Sequence, residues 1–400
     1  MTLLERHPVD SSSTCSIDVL IKEARQRQRR RRRLLLSGAV VVLLVVVTAT
    51  VIFLAERRNQ AGSRIQTTAA RQRQTGGLRP VAGPQPKQPG PLAVASNGDL
   101  YIADDGRDQI LELRNNRFIV AAGTGIAGFA GDGGLATKAK IDRPGGMAIA
   151  PDGNLYFADT ANGRVRMVTA NGDIQTVAGN GSAGWVADGT PALAAALTPD
   201  AVTFSPSGEM YVADQYEVLR LSVGGTFVRV LGVSTSPLYL QGLYRGASAL
   251  DATADDADGV AVDSNGDVFV SGFDGKVLIE VTPQGTLKFP LGVIGSLYPR
   301  WNGGLVTASD GSVLAMDELN VLRLRLNGAQ TIFTTPPVKE AFLGIHGFSP
   351  DGIAVSKNGT IYLDTSYGNG FSSGSAIVAL PPHGHPRLLW EQLPKPVRRS

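Results

Sequence analysis

Short runs of alternating apolar and polar residues recur along the chain, and each pair of runs meets at a glycine. Six such segments align: PLAVASNGDLYIAD, GMAIAPDGNLYFAD, AVTFSPSGEMYVAD, GVAVDSNGDVFVSG, GLVTASDGSVLAMD and GIAVSKNGTIYLDT. Alternation with a period of two predicts half-buried strands, and Asn-Gly, Asp-Gly or Ser-Gly between two such runs predicts a hairpin with a two-residue turn. The pattern therefore predicts six hairpins, each made of a strand A and a strand B.

The spacing of these hairpins indicates the architecture. Their turn glycines, separated by 55, 55, 58, 45 and 48 residues, are Gly98, Gly153, Gly208, Gly266, Gly311 and Gly359. Later runs such as QILELR and RFIVAAG supply strands C and D in each interval. Four strands in a repeat of this length are typical of a propeller blade. The predicted fold is all-β, a six-bladed β-propeller with four-stranded antiparallel blades.

One apolar run differs from all the others. Residues 34–55, LLLSGAVVVLLVVVTATVIFLA, are 22 residues without a charge. They can cross about 30 Å of hydrocarbon as a single transmembrane helix; a cleaved signal peptide and a buried core helix are the alternatives. Eight basic residues, Lys22, Arg25, Arg27 and Arg29 to Arg33, precede the run. The positive-inside bias then predicts a single-pass signal anchor in the cell membrane, with a cytoplasmic N-terminus and an extracytoplasmic propeller.

Five segments follow from these patterns. They are a basic cytoplasmic tail (1–33), the transmembrane helix (34–55), an extracytoplasmic linker rich in Gln, Arg, Gly and Pro (56–90), the propeller (91–392) and a C-terminal tail (393–400).

Charge is divided unevenly between these segments. Residues 1–80 hold 15 Lys and Arg against 5 Asp and Glu, which leaves 23 basic and 30 acidic residues in 81–400. Nucleic-acid binding depends on clustered basic residues that neutralise phosphates, so the acidic propeller is not expected to bind nucleic acid. The single cysteine, Cys15, leaves the predicted outer domain without a disulfide.

At the second hairpin the chain resembles a known repeat. GNLYFADTANGRVRMV (Gly153–Val168) is similar to an NHL repeat, and IQTVAGNGSAGW continues a pattern often seen between bacterial NHL blades. The resemblance covers about residues 90–390 and implies a six-bladed propeller. NHL propellers include protein- and RNA-binding modules, membrane-anchored extracytoplasmic sensors and, more distantly, lyases and lactonases, so the resemblance implies no single activity.

Three long connections between blades, 123–144, 179–200 and 232–258, are candidate binding loops, since loops of this length are often functional. Their aromatic and charged residues suit a peptide or sugar ligand. The predicted ligand-binding residues are Phe129, Asp132, Trp185, Asp188, Tyr239, Tyr244 and Arg245. The alternative is that Phe129 and Trp185, which occupy matching positions, fill the gap between blades.

A column of residues eight positions before each turn glycine suggests a cation site. It contains Gly90, Gly145, Asp200, Asp258, Gly303 and Asp351. If strand A lines the central channel, Asp200, Asp258 and Asp351 share one rim, and several carboxylates suit Ca²⁺ or another divalent cation. Alternatively these aspartates cap strand starts, or stand too far apart to share an ion.

The sequence also predicts a role for the aspartates that end strand B and two ways of closing the ring. Asp104, Asp159, Asp214 and Asp317, each at the end of a strand B, are predicted to accept hydrogen bonds from backbone N–H groups of the following turn. The ring can close with HPRLLW (385–390) as its last strand or with LRPVAG (78–83) from the N-terminal side, and some N-terminal contribution to the sixth blade is favoured.

The predicted function is a non-catalytic module, anchored in the membrane, that binds or senses an extracytoplasmic protein, peptide or glycan through its loop-rich face. No catalytic residues are assigned, because no nucleophile elbow, phosphate loop or His-rich zinc pattern occurs in the sequence. The alternative is a metal-dependent enzyme similar to lactonases or lyases, with a cation at the central channel.

Overall fold

All six predicted hairpins form in the computed structural model of the chain. The structure describes residues 81–232, 246–252, 257–272, 277–289, 301–317, 320–324, 331–334, 348–368, 373–382 and 387–392. The predicted membrane span, 34–55, lies outside them. Over the described residues, no helix has the length and apolar character needed to cross a bilayer.

The strands form six four-stranded antiparallel sheets, and in each of them the strands are neighbours in the same order as in the sequence. Blade 1 contains β1 (Pro89–Val94), β2 (Leu100–Asp104), β3 (Gln109–Arg114) and β4 (Arg117–Ala122); blade 2 contains β5 (Pro144–Ile149), β6 (Leu155–Asp159), β7 (Arg164–Val168) and β8 (Ile174–Ala178); blade 3 contains β9 (Pro199–Phe204), β10 (Met210–Asp214), β11 (Glu217–Leu221) and β12 (Phe227–Leu231). Blade 4 contains β13 (Ala257–Val262), β14 (Val268–Gly272), β15 (Val277–Val281) and β16 (Leu287–Lys288); blade 5 contains β17 (Trp301–Thr307), β18 (Val313–Asp317), β19 (Asn320–Leu324) and β20 (Thr331–Thr334); blade 6 contains β21 (Phe348–Val355), β22 (Ile361–Gly368), β23 (Ser373–Leu380) and β24 (Arg387–Gln392). The six-bladed propeller is confirmed.

The turns between strands A and B differ in detail from the predicted two-residue type. In blade 2 the N–H of Gly153 donates to the carbonyl of Ala150 at 2.9 Å, and Gly153 has a φ of 87°. Only the glycine is left-handed, so the hairpin has a three-residue loop in which glycine follows a tight turn. A true two-residue turn occurs between β3 and β4, where Asn115 and Asn116 have φ values of 52° and 60°.

Neighbouring blades are joined by apolar clusters, because apolar side chains on the face of one sheet pack against the facing sheet of the next blade. Between blades 1 and 2, for example, Ile110 and Phe157 belong to one fully buried cluster. The cluster between blades 6 and 1 contains Phe118 and Trp390, whose rings meet edge to face at 6.3 Å. The ring is thus closed by side-chain packing.

The N-terminal segment does not supply the fourth strand of blade 6. The fourth strand of that blade is β24, which pairs with β23. The N-terminal segment joins blade 1 instead: Ala82 bridges Arg117, and the N–H of Phe118 donates to the carbonyl of Ala82 at 2.8 Å. The outer edge of β4 is free for this pairing, whereas β24 follows β23 directly along the chain and occupies the fourth position of blade 6.

The innermost strands approach one another closely around the channel. A Cβ on Gly146 would lie 2.6 Å from the Cβ of Ala201 in the next blade, and one on Gly352 would lie 2.4 Å from the carbonyl oxygen of Gly90. Glycine is therefore required there for contact between blades, independently of any ligand.

Candidate functional site

The long connections lie against the blade that follows them. Small apolar residues of each connection are buried in the cluster between the two blades: Ala136, Ala139 and Ile141 in the first, Ala192, Ala195 and Leu197 in the second, and Ala249 and Ala252 in the third. These residues fill the gap between blades. This repeated Ala-x-x-Ala pattern is not among the sequence predictions, in which Phe129 and Trp185 are the candidates for filling the gap between blades.

Phe129 instead lies on the surface over an arginine. It is 43% exposed, and the Cζ atom of Arg164 lies 3.8 Å from the centre of its ring. The amide of Asn162, in the turn between β6 and β7, donates to the carbonyl of Gly128 at 2.8 Å. We call the surface formed by residues 123–143, residues 179–198 and the turns that follow β6 and β10 the loop face.

Asp132 anchors the first connection to blade 2. Its carboxylate accepts a hydrogen bond from Nη2 of Arg166 at 2.6 Å and another from the hydroxyl of Thr176 at 2.7 Å. Arg166 is fully buried, and its Nη1 also donates to Asp159 at 3.0 Å. Asp132 therefore holds the first connection in place, and the direct ligand contact predicted for it stays a prediction.

The aspartates at the ends of strand B are caps, but their donors mostly precede strand A. The buried carboxylate of Asp104 accepts from the N–H groups of Lys87 and Gln88, at 3.0 and 2.8 Å. Asp159 accepts from the N–H of Asp142 at 2.8 Å. Each cap thus fixes the chain where it enters its blade. The prediction that backbone N–H groups of the following turn supply the donors is wrong for these two blades, although the side-chain amide of Asn162, in the turn after β6, also donates to Asp159 at 2.8 Å. The side chain of Asp317 lies outside the described residues.

In blade 3, the aromatic residue of the connection borders a cavity. The partly exposed ring of Trp185 stacks on Tyr216, with centroids 5.6 Å apart and planes inclined by 27°. Both rings line a cavity of about 210 Å³, together with the buried side chains of Asp214 and Glu217 and neighbouring residues Ala183, Gly184, Thr198 and Gln215. The structure thus places Trp185 in a pocket that combines aromatic rings with carboxyl groups.

Asp188 is an anchor, as Asp132 is. Its carboxylate accepts from the backbone N–H of Arg229 in β12 at 2.7 Å. The side chain of Arg229 in turn donates through Nε to Glu217 at 2.9 Å, and the other carboxyl oxygen of Glu217 accepts from the N–H of Val186 at 2.8 Å. The second connection is therefore fixed to the outer strands of blade 3.

Register shows why blades 2 and 3 differ chemically. Asp159 is opposite Arg164 in the β6–β7 ladder, whereas Asp214 is opposite Glu217 in the β10–β11 ladder. Arg166 lies two residue pairs further along the blade 2 ladder, and Leu219 occupies the same position in blade 3. Blade 3 therefore lacks both arginines that surround Phe129 and Asp159.

This exchange changes the acidity of the carboxyl groups. Burial, with a contribution from the nearby charges of Glu217 and Asp200, raises the pKa of Asp214 to about 8. Burial also raises the pKa of Glu217, against hydrogen bonds from Val186 and Arg229. In blade 2, burial raises the pKa of Asp159, but the hydrogen bonds from Asp142 and Asn162 and the charge of Arg166 oppose that effect.

Tyr216 and Glu217 are not among the residues predicted from the sequence, and the role predicted for Asp214 is only that of a cap. Aligning the turn after strand B with its counterpart one blade earlier gives the signal: TANGRVR in blade 2 becomes QYEVL in blade 3. Of the other predicted ligand-binding residues, Tyr239, Tyr244 and Arg245 lie outside the described residues.

The aspartate column lies in a β-bulge at the start of each strand A. The pairing register skips Gly145 in blade 2, Asp200 in blade 3 and Asp258 in blade 4. Gly90, Gly303 and Asp351 fall in the corresponding irregularities of the other blades. A bulge leaves a residue unpaired and reorients it, which explains why one column repeats in every blade.

The bulges open onto a central channel of about 590 Å³, lined mainly by glycine and apolar residues of the six innermost strands and including Asp258. Asp200 does not line this cavity, and the side chain of Asp351 lies outside the described residues. The described parts of the chain contain no group of three His, Cys, Asp or Glu side chains able to hold a metal ion. A site completed by Asp351 stays a prediction.

Comparison with known proteins finds similarity over part of the chain. A family model for the teneurin NHL domain matches residues 113–196, from β3 to the second connection. Teneurin-1 of Gallus gallus is 49% identical over 92 residues, which is 20% of this chain and 3% of that protein. Protein SUPPRESSOR OF QUENCHING 1, chloroplastic, of Arabidopsis thaliana is 37% identical over 82 residues, 20% of this chain and 8% of that protein. The matched segment thus spans less than a tenth of either relative.

Among solved structures, a catalytically inactive virginiamycin B lyase from Staphylococcus aureus is similar with a TM-score of 0.46 and 12% identity. The alignment covers 75% of this chain and 83% of that one.

Proposed function

We propose that the chain, which is an NHL-repeat β-propeller, is a membrane-anchored extracytoplasmic module that binds a protein, peptide or glycan on its loop face and does not transform it. The observation that carries the proposal is the pair of stacked rings, Trp185 and Tyr216, at a cavity of about 210 Å³. Aromatic residues that are partly exposed and held in one orientation are typical anchors of binding sites.

Rigidity supports binding by this face. Asp132 and Asp188 tie the two connections to strands of the following blades, and the ring of Phe129 rests on Arg164. Side chains that are ordered before a ligand arrives lose less conformational entropy when it binds. The loop face therefore presents its aromatic residues at low entropic cost.

The membrane anchor rests on the sequence. The uncharged run 34–55 and the basic residues before it favour a single span with the propeller outside. The acidic balance of residues 81–400 favours a partner other than nucleic acid.

A binding screen tests the proposal. Arrays of immobilised peptides and glycans are probed with the full-length chain, with the double variant Phe129→Ala/Trp185→Ala, and with Val223→Ala as the control. Val223 is a fully exposed apolar residue in the turn between β11 and β12. We expect the double variant to lose array signals that the control retains. Array signals shared by all three proteins, or ligands chemically altered after recovery and mass spectrometry, contradict the proposal.

The anchor is tested separately in cells that express the chain with a C-terminal tag. We expect the tag to be in the membrane fraction and to be digested by protease added outside the cytoplasmic membrane. Deleting 34–55 is expected to release the protein from the membrane; retention of the deleted form, or a protected tag, contradicts the predicted topology.

A further inference from the structure

We propose that the cavity beside Trp185 and Tyr216 binds a cationic group, the ammonium or guanidinium end of a ligand, next to the carboxyl group of Asp214. This inference rests on the proposed function, because it names the chemistry recognised at the loop face. It is drawn from a comparison of two equivalent sites within the chain.

Blade 2 shows what occupies such a site when the protein supplies the cation itself. Phe129 and Trp185 are the seventh residues of the matching segments GTGIAGF and GNGSAGW. The guanidinium carbons of Arg164 and Arg166 lie 3.8 and 4.9 Å from the centre of the Phe129 ring, and Arg166 pairs with the cap Asp159. An aromatic ring, a buried cap carboxylate and a guanidinium group thus form one unit.

Blade 3 keeps the ring and the carboxyl group but has no arginine at the positions of Arg164 and Arg166. Trp185 replaces Phe129, Asp214 replaces Asp159, and the arginine positions hold Glu217 and Leu219. The aromatic surface is larger, since Tyr216 stacks on Trp185. A cavity lies at this place, lined by both rings and both acidic residues.

The carboxyl groups of Glu217 and Asp214 differ in their partners. Glu217 is paired with Arg229, and its second oxygen accepts from the N–H of Val186. Asp214 accepts from the N–H of Thr198 at 2.5 Å, and over the described residues no basic side chain lies within ion-pair distance of it. A cation in the cavity would meet this carboxyl group and the π-faces of indole and phenol, which attract cations most strongly where water is excluded.

The size of the cavity limits what enters it. Sites for whole drug-sized ligands measure roughly 300–1,000 Å³, and this cavity measures about 210 Å³. It therefore accepts the charged end of a ligand and its first carbon atoms, while the rest of the ligand lies on the loop face. A basic side chain of a polypeptide and a free alkylamine both present this chemistry.

Calorimetric titration of the full-length chain at pH 8.5 tests the assignment. The probes are n-butylammonium chloride, with n-butanol and sodium butyrate as neutral and anionic controls, and the capped peptide acetyl-Gly-Lys-Gly-amide. We expect one binding site per chain for the cations and none for the controls. Tighter binding of the peptide identifies a basic side chain as the natural group, and binding of the free amine alone identifies a small amine.

Variants connect the binding to the cavity. We expect Asp214→Asn and Trp185→Leu each to weaken binding about tenfold or more, since each removes a charge-assisted or cation–π contact. Asp104→Asn removes the equivalent cap in blade 1, and Asp152→Asn removes a carboxylate at the opposite end of β6; both are expected to bind as the wild type does. Thermal unfolding of every variant confirms folding.

The inference is overturned if butanol binds as well as butylammonium, or if Asp214→Asn and Trp185→Leu, shown to be folded, bind unchanged. Array ligands that depend on Trp185 but lack any cation preference would overturn this inference and leave the proposed function standing. If butylammonium binds but no array ligand depends on the loop face, the proposed function is overturned and this inference stands.

Discussion

Asp214 stands directly opposite Glu217 in the ladder between β10 and β11, at the position where an Asp faces an Arg one blade earlier. Two acidic residues are therefore buried side by side, at 3% and 1% exposure. Burial raises the pKa of both carboxyl groups, and for Asp214 the charge of Glu217 adds to that effect.

The pair makes stability depend on pH in a defined direction. The pKa of Asp214 is raised to about 8, while the unfolded chain keeps the ordinary 3.8. Its contribution is fully present below about pH 4 and is lost as the pH rises through about 8, by up to about 1.4 kcal/mol per unit. The nearby charges of Glu217 and Asp200 add to this change, and Arg229 pairs with Glu217.

Asp214→Asn tests this dependence, because the amide cannot ionise and still accepts from the N–H of Thr198. We expect the variant to gain stability relative to the wild type as the pH rises from 5 to about 8, measured by urea unfolding. Asp152→Asn controls for the loss of a carboxylate elsewhere. A constant difference between Asp214→Asn and the wild type over this range would contradict the raised pKa.

Breaking the buried ion pair of blade 2 should be costly. Arg166 is fully buried, and Asp159→Asn leaves it with Asp132 as its remaining carboxylate partner. We expect a loss of about 3 kcal/mol in the free energy of unfolding, against about 0.5 kcal/mol or less for the exposed Asp152→Asn. Equal effects in the two variants would show that the pair adds little to stability.

Because the innermost strands are in close contact, alanine substitutions at two of their glycines should differ in their effect on stability. Gly146→Ala places a Cβ 2.6 Å from that of Ala201, whereas Gly90→Ala meets nothing within 4 Å. We expect the first to lose about 1–3 kcal/mol through overpacking and the second to be close to neutral. Thermal unfolding of both variants provides the measurement, and equal melting temperatures would contradict the close approach.

A side-chain hydrogen bond joins the N-terminal segment to blade 6. The indole N–H of Trp390 in blade 6 donates to Oε1 of Gln85 at 2.7 Å. Gln85→Ala leaves a largely buried donor without this acceptor, so we expect a loss of about 1–3 kcal/mol in urea unfolding. Gln88→Ala is the control, because Gln88 is exposed and its recorded contact to Asp104 uses the backbone N–H. A stability of Gln85→Ala equal to that of the control would exclude a stabilising role for the contact.

For the aspartate column, the sequence predicted which positions are equivalent but not their local structure. The eight-residue spacing from each turn glycine correctly identified equivalent positions, because the pairing irregularity of strand A lies at that distance from the glycine in every blade. It did not show that these positions are bulges, since a bulge is defined by the strand opposite. The carboxylates of Asp200 and Asp258 consequently differ in whether they line the channel.

Local patterns alone determined the number of blades, the order of their strands and the glycine turns, because each hairpin is formed by residues adjacent in sequence. Contacts between distant residues decided the rest. The partner of the N-terminal segment, the burial of Arg166 between Asp132 and Asp159, and the meeting of Trp185 with Tyr216 all depend on how one blade's connection packs on the next. Burial and opposing charge are tertiary properties, so only the assembled ring could turn a capping aspartate into a candidate binding group.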